Sequence, residues 1–435
     1  MANDARNGRG LQAVDRISNL PENIIHLFLQ RLSTHDAVRT TVLSKTWRNI
    51  WGMHPKLYLD QNFISQLVSQ KFFHLDEQTK INKVSRTISN ILLAHNGPIL
   101  NFVLFIPRDL PFHQSTDMVL WIKNISNNGV RELKLRNESL HACTVPSHLF
   151  SCSQLTRLTL VSCILNPPLG FGGLCNLVMV ELEHVLINAD MLFGTRLEEL
   201  NMYFCIGIEH LGSQFRCENN LIKLSIGNCE EIDWKWFEYT QKLLTLSLWM
   251  HFEMPSSGKE VISLDKLVCN MPRIRSLYLD GFYLKILEPG AAILKRLTRA
   301  TENLRFLKLH NIKLHDLVQI QPVLCLIRSS PNLQVLNIDL DHEVQSSDGV
   351  DLSDLMVLSD YMILDKLETI LIFYLVGSLA EFQFIKLLLA LSPSLKQINL
   401  KMEDIGIDNS TEELRISREV SQIPRASKSA QIRWM

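Results

Sequence analysis

The chain has 435 residues, 46% hydrophobic and 20% charged, with a formal net charge of -1. That length exceeds one ordinary core and predicts several domains or one repeat array. The near-neutral charge argues against bulk attraction to nucleic acid or to an anionic membrane, and no stretch approaches eighteen uninterrupted apolar residues, so no membrane span is expected.

The opening "MANDARNGRGLQAVDR" is polar and holds no apolar run. It does not fit a secretory signal and predicts a disordered tail over residues 1–14. Nine cysteines, an odd count, are spread widely through the chain. Reduced thiols in the nucleus or cytoplasm are the expectation.

Residues 15–55 predict three short helices. In "LPENIIHLFLQRL", Ile24, Ile25, Phe28, Leu29 and Leu32 form one helical stripe. Pro21 stands at its start, where a missing N–H costs nothing. "STHDAVRTTVL" follows, with Ser33 and Asp36 spaced as a capping box and Val38 and Val42 on one face. "SKTWRNIW" predicts a third helix capped by Ser44, with Trp47 and Trp51 on a shared face. A core this small gains from packing on another protein.

Residues 56–129 predict connecting helices and a first strand-like hexamer, "LNFVLF" at 100. From 130 one pattern, L-x-x-L-x-L, keeps returning. It reads "VRELKL" at 130, "LTRLTL" at 155, "LVMVEL" at 177, "LEELNM" at 197, "LIKLSI" at 221 and "LLTLSL" at 243. It continues as "IRSLYL" at 274, "LRFLKL" at 304, "LQVLNI" at 333, "LETILI" at 367 and "LKQINL" at 395. This is the signature of leucine-rich repeats. Each hexamer predicts a short strand whose fourth and sixth residues point inward. Stacked units bury what one cannot, giving a curved parallel sheet.

Spacing predicts what covers the back. Between 155 and 243 the units start 20 to 24 residues apart, too close for full helices. Later starts lie 28 to 34 apart. There, helices fit "AAILKRLTRA" from 291, "VQIQPVLCLIRSS" from 318 and "AEFQFIKLLLALS" from 380. The last two end in Ser-Pro, which disfavours further helix. Cys163, Cys205 and Cys229 each lie eight residues beyond the start of their unit. That is the Asn/Cys place of the repeat signature, so a structural role is expected for these thiols.

Signatures of chemistry are lacking. The sequence holds no phosphate loop, G-x-S-x-G, H-E-x-x-H or C-x-x-C. "LGFGGL" at 169–174 lacks dinucleotide-loop spacing. The acidic stretch at 339–354 lacks the Gly and Glu of a calcium loop and predicts a solvated insertion. No cofactor, metal or catalytic residue is expected.

At this point the residues resemble a known family. "DRISNLPENIIHLFLQRLSTHDAVRTTVLSKTWRNIW" is similar to the F-box of the large plant F-box/FBD/leucine-rich-repeat class. Asp15-Arg16-Ile17-Ser18, Leu20-Pro21, Ile24-Ile25, Asp36 to Thr40, Val42 to Lys45 and Trp47-Arg48 carry the match. Thr46 departs from it, where a basic residue is usual, and is expected to touch only solvent. "FIKLLLALSPSLKQINL" and "IPRASKSAQIRWM" resemble the C-terminal FBD segment, in which a final helix and strand follow the last repeat. The expected class is therefore α/β: an N-terminal three-helix F-box (15–55), repeats (130–378) forming a solenoid, and an FBD-like segment (379–435) with the last repeat.

The resemblance implies a non-catalytic substrate receptor of an SCF-type ubiquitin ligase. Such a protein binds a Skp-type adaptor and, through it, cullin. A scaffold working without ubiquitylation, or a small-molecule receptor, is the alternative. Leu20, Pro21, Ile24, Ile25, Leu29, Val38, Val42, Leu43 and Trp47 are the adaptor-binding candidates. Trp51 is expected to share the module's core or pack toward the first repeats. Outward-facing ring side chains on the strands are the candidates for binding a protein substrate: Tyr203, Trp249, Tyr278, His310 and Phe373, with Trp249 first.

Overall fold

The structure is a computed structural model that describes residues 17, 20–69, 73–110, 117–216, 220–229, 232–250, 262–288, 297, 301–341, 363–403 and 410–435. The expected tail, the helix over 291–300 (but for Leu297) and most of the acidic 339–354 stretch lie outside them. Two compact units divide the chain, Met1–Pro168 and Leu169–Met435.

The first unit opens with three helices: α1 (Glu22–Arg31), α2 (Thr34–Arg39) and α3 (Lys45–Gly52). Their ends are fixed by local chemistry. Pro21 takes the N-cap place of α1. Ser33 accepts from the Asp36 N–H, and its own hydroxyl donates back to the Asp36 carboxylate at 2.9 Å. Ser44 accepts from the Trp47 N–H at 3.3 Å. Such caps each contribute about 1 kcal/mol. Of the apolar stripe on α1, only Ile25 and Leu29 are buried; Phe28 and Leu32 face solvent. A three-helix core is too small to cover a stripe five residues wide. Thr46 is half-buried rather than solvated.

A strand with no repeat signature follows, β1 (Lys56–Leu59), then α4 (Gln61–Leu67) and α5 (Glu77–Leu93). The "LNFVLF" hexamer forms β2 (Asn101–Ile106), and α6 (Asp117–Asn127) crosses to β3 (Glu132–Asn137) and β4 (Arg157–Val161). All four strands are parallel neighbours in the order β1-β2-β3-β4. The copy near 100 starts one residue earlier than the hexamer suggests, at Ile99: Phe102 and Leu104, not Val103 and Phe105, stand level with Leu133 and Leu135.

In the second unit the strands come from the remaining repeats. They are β5 (Met179–Glu183), β6 (Glu199–Tyr203), β7 (Lys223–Gly227), β8 (Thr245–Trp249) and β9 (Ser276–Asp280). After them come β10 (Phe306–Ile312), β11 (Val335–Leu340), β12 (Thr369–Leu375), β13 (Gln397–Met402) and β14 (Gln431–Trp434). Every adjacent pair is parallel and in chain order. The fourth and sixth residues of each repeat are buried, as Leu246 and Leu248 illustrate. The long spacings hold α7 (Leu317–Arg328) and α8 (Leu379–Leu391) where helices were expected. Ser378 and Glu381 close α8 with a full capping box. The final helix, α9 (Ser410–Gln422), and β14 match the expected FBD ending.

Six of the repeats share a left-handed residue, just beyond β4 to β7 and at an irregularity within β10 and β12. Ser162, His184, Phe204, Asn228, Asn311 and Tyr374 all have positive φ, and all fall at the eighth place of their repeat. The ninth place then turns inward. Cys163, Cys205 and Cys229 are buried there. The Cys205 N–H donates to the Cys229 sulfur at 3.4 Å, and the Cys229 thiol donates to the Gly227 carbonyl at 3.4 Å. Contact with Cys143 and burial hold the Cys163 thiol well above the ordinary range. A buried thiol held protonated, as Cys163 is, is a poor nucleophile, and the burial of all three beside backbone carbonyls gives them a packing role.

Candidate docking surfaces

The nine adaptor-binding candidates divide by exposure. Ile25, Leu29 and Trp47 are buried inside the chain, so they support a surface rather than form one. The Trp47 indole N–H donates to the Ile17 carbonyl at 3.0 Å, which satisfies its one donor. Leu20, Ile24 and Val38 are half-buried; Pro21, Val42 and Leu43 are exposed. Val42 is 82% exposed. The reason is local. After Arg39 the chain tightens into a 3-10 turn over Thr40–Val42, which turns Val42 off the face of α2. The Thr40 and Thr41 hydroxyls donate to the Ala37 and Val38 carbonyls at 2.6 and 2.7 Å.

Leu27 and Phe28 on α1 and Leu32 just after it are also exposed. None of the three was among the candidates. The cue lay in the excess of apolar residues on α1 over what three short helices can cover. Trp51 is buried, stacked on His54 with ring centroids 6.2 Å apart. It also lines a pocket of about 500 Å³ together with Phe63, Ile91, Arg39 and Arg48.

On the repeats, the outward ring residues do not converge on one place. Tyr203 and Trp249 meet, with centroids 5.6 Å apart. Tyr278 packs on Phe306 at 5.2 Å. His310 engages Asp339, Nδ1 to Oδ2 at 2.9 Å, and Lys308 Nζ reaches the same oxygen at 3.0 Å. Phe373 sits level with Asp339 on the next strand and packs near Tyr374. Burial works to raise the Asp339 carboxyl, but the His310 and Lys308 contacts prevail and hold it below the usual carboxylate range. Asp280, level with His310, is buried. Its Oδ1 accepts from the Phe282 N–H at 2.9 Å, and its Oδ2 has no hydrogen-bond partner among the described residues. Burial pushes its carboxyl up to about 6.

Trp249 has an internal reason that its polar sequence neighbourhood hid. Gly227 occupies the matching place on β7. A Cβ there would meet the Trp249 ring at 2.1 Å, so the indole lies across the glycine. Only glycine leaves that space.

Among the described residues no three His, Cys, Asp or Glu side chains gather as a metal cage. What the two units offer is surface: exposed aliphatic and aromatic groups on the helices, and rings with paired charges on the strands. Residues 17–59 match the F-box domain.

The N-terminal module is an F-box.

Similarity extends well beyond it. The chain is 28% identical to an F-box/FBD/LRR-repeat protein of Arabidopsis thaliana over 98% of its own length and 99% of that relative. It is 32% identical to an F-box/LRR-repeat protein of the same plant, over 41% of this chain and 54% of the relative. A further F-box/FBD/LRR-repeat protein is 32% identical over 35% of this chain and 32% of its own length. The resemblance to the plant F-box/FBD/leucine-rich-repeat family therefore holds for nearly the whole chain, F-box and repeats together.

Proposed function

We propose that this F-box protein is the substrate-recognition subunit of an SCF-type ubiquitin ligase. The F-box binds a Skp-type adaptor and through it cullin, while the repeats bind a target protein in the nucleus or cytoplasm. The chain itself does no bond chemistry. Its work is positional: it raises the local concentration of target lysines near the charged conjugating enzyme. The observation that carries this reading is the set of large apolar side chains left exposed on a matched F-box, Leu27, Phe28, Val42 and Leu43. Apolar groups of that size on so small a module favour a partner.

The test is co-purification with a Skp-type adaptor and cullin. Phe28→Asp with Val42→Asp is expected to reduce adaptor capture at least tenfold with an unchanged circular dichroism spectrum. Failure of the unaltered chain to capture adaptor, under conditions where other F-box proteins do, would leave the repeat scaffold as the better reading.

A further inference from the structure

We propose that the outward face of β5 to β8 holds an arginine side chain of the target protein, stacked on Tyr203 and Trp249 and paired with Glu183. This deepens the receptor reading above and rests on it.

Three features build the site. Gly227 leaves the place between Tyr203 and Trp249 empty, and the indole folds across it until the two rings stand 5.6 Å apart at 34°. Phe204 then braces Trp249 edge-on at 6.0 Å, and His184 stacks on Phe204 at 4.6 Å. The result is a shelf of rings, with Tyr203 and Trp249 half-buried and so still open to solvent. Glu183 is the third feature. It lies directly beside Tyr203 on the neighbouring strand and is half-buried.

The charge pattern selects the occupant. The nearest outward base, Lys223, already pairs with Glu199, and farther along Lys308 and His310 share Asp339. Glu183 forms no ion pair among the described residues. A lone carboxylate beside the negative faces of two rings favours a cation. A guanidinium suits it better than an ammonium. It is planar and stacks on rings, it presents forked donors to a carboxylate, and it is more weakly hydrated. Neutral apolar side chains would use the rings and leave Glu183 unpaired.

The probe is a random twelve-residue peptide display library, panned on the full-length chain and on its Glu183→Arg variant. On the unaltered chain arginine is expected at one position, at least tenfold enriched over lysine. On Glu183→Arg that preference is expected to vanish, with Asp or Glu selected in its place. A synthetic peptide of the selected sequence should bind Tyr203→Leu at least fivefold more weakly, with thermal midpoints measured to confirm the fold. Equal enrichment of lysine, a purely apolar motif, no motif at all, or the same motif on both chains would overturn the proposal. Adaptor capture is measured on the same protein. Arginine selection without capture would refute the ligase reading and leave this site standing; capture without arginine selection would do the reverse.

Discussion

The F-box and the repeat sheet solve the same problem by opposite means. The F-box buries a handful of large side chains, Ile25, Leu29, Trp47, Ile50 and Trp51, within three helices of ten, six and eight residues. Its helices are short enough that capping hydroxyls matter individually. The sheet of the second unit repeats one modest contribution many times, two buried aliphatic side chains per strand, each touching the strands beside it. Loss of one such side chain is felt by its neighbours, yet the array supplies no single anchor. The difference teaches where each region spends its apolar residues. The F-box cannot cover all of its own and leaves Phe28, Val42 and Leu43 in water. The repeat strands bury their inward aliphatic pairs and present rings and charges outward.

Substitution should expose this contrast most strongly in the cores. Leu246→Ala removes a fully buried side chain between two occupied strands. The expected loss is about 2–5 kcal/mol in urea unfolding. Val42→Ala, at an exposed site, should stay within about 0.5 kcal/mol. A comparable loss from both would mean that Val42 is packed in the folded chain.

A second test uses pH, because the units bury opposite kinds of titrating group. In the second unit, burial raises Asp280 from 3.8 to about 6. The folded state then binds more protons than the unfolded one between those values. Its contribution is fully present below about pH 4 and is lost as pH rises through 6. Asp280→Asn should therefore gain about 1–3 kcal/mol over the unaltered chain at pH 8, with the gain vanishing near pH 4. In the first unit, burial lowers His54 from 6.5 to about 4. There the folded state binds fewer protons, so stability present at neutral pH is lost as pH falls from 6.5 toward 4. Acid should weaken the first unit while it relieves Asp280 in the second. Parallel pH profiles of unit-specific unfolding signals would contradict that opposition.

The smallest effect sharpens the F-box side alone. Ser44→Ala deletes the acceptor for the Trp47 N–H. It should cost about 1 kcal/mol of thermal stability. Ser44→Asp, which restores an acceptor, should recover most of it. Equal loss in both variants would show that the cap is not what fixes the start of α3.

Much of this molecule was written locally. The L-x-x-L-x-L spacing set the strands and their register, because a strand's side chains alternate whatever its neighbours are. Ser33 and Ser44 set helix starts, since a cap acts within three residues. The long repeat spacings marked α7 and α8, and the ninth-place cysteines announced their burial. Other facts came only with the third dimension. That Ile25, Leu29 and Trp47 turn inward while Phe28 and Val42 stay in water depends on how few helices share one small core. That Trp249 lies across Gly227 beside Tyr203 depends on residues 22 and 46 positions apart meeting in register. That Asp280 titrates near 6 depends on what surrounds it. Local conformation follows from torsions and near neighbours, which sequence spacing records; exposure and charge follow from the sum of distant neighbours, which only the packed chain assembles.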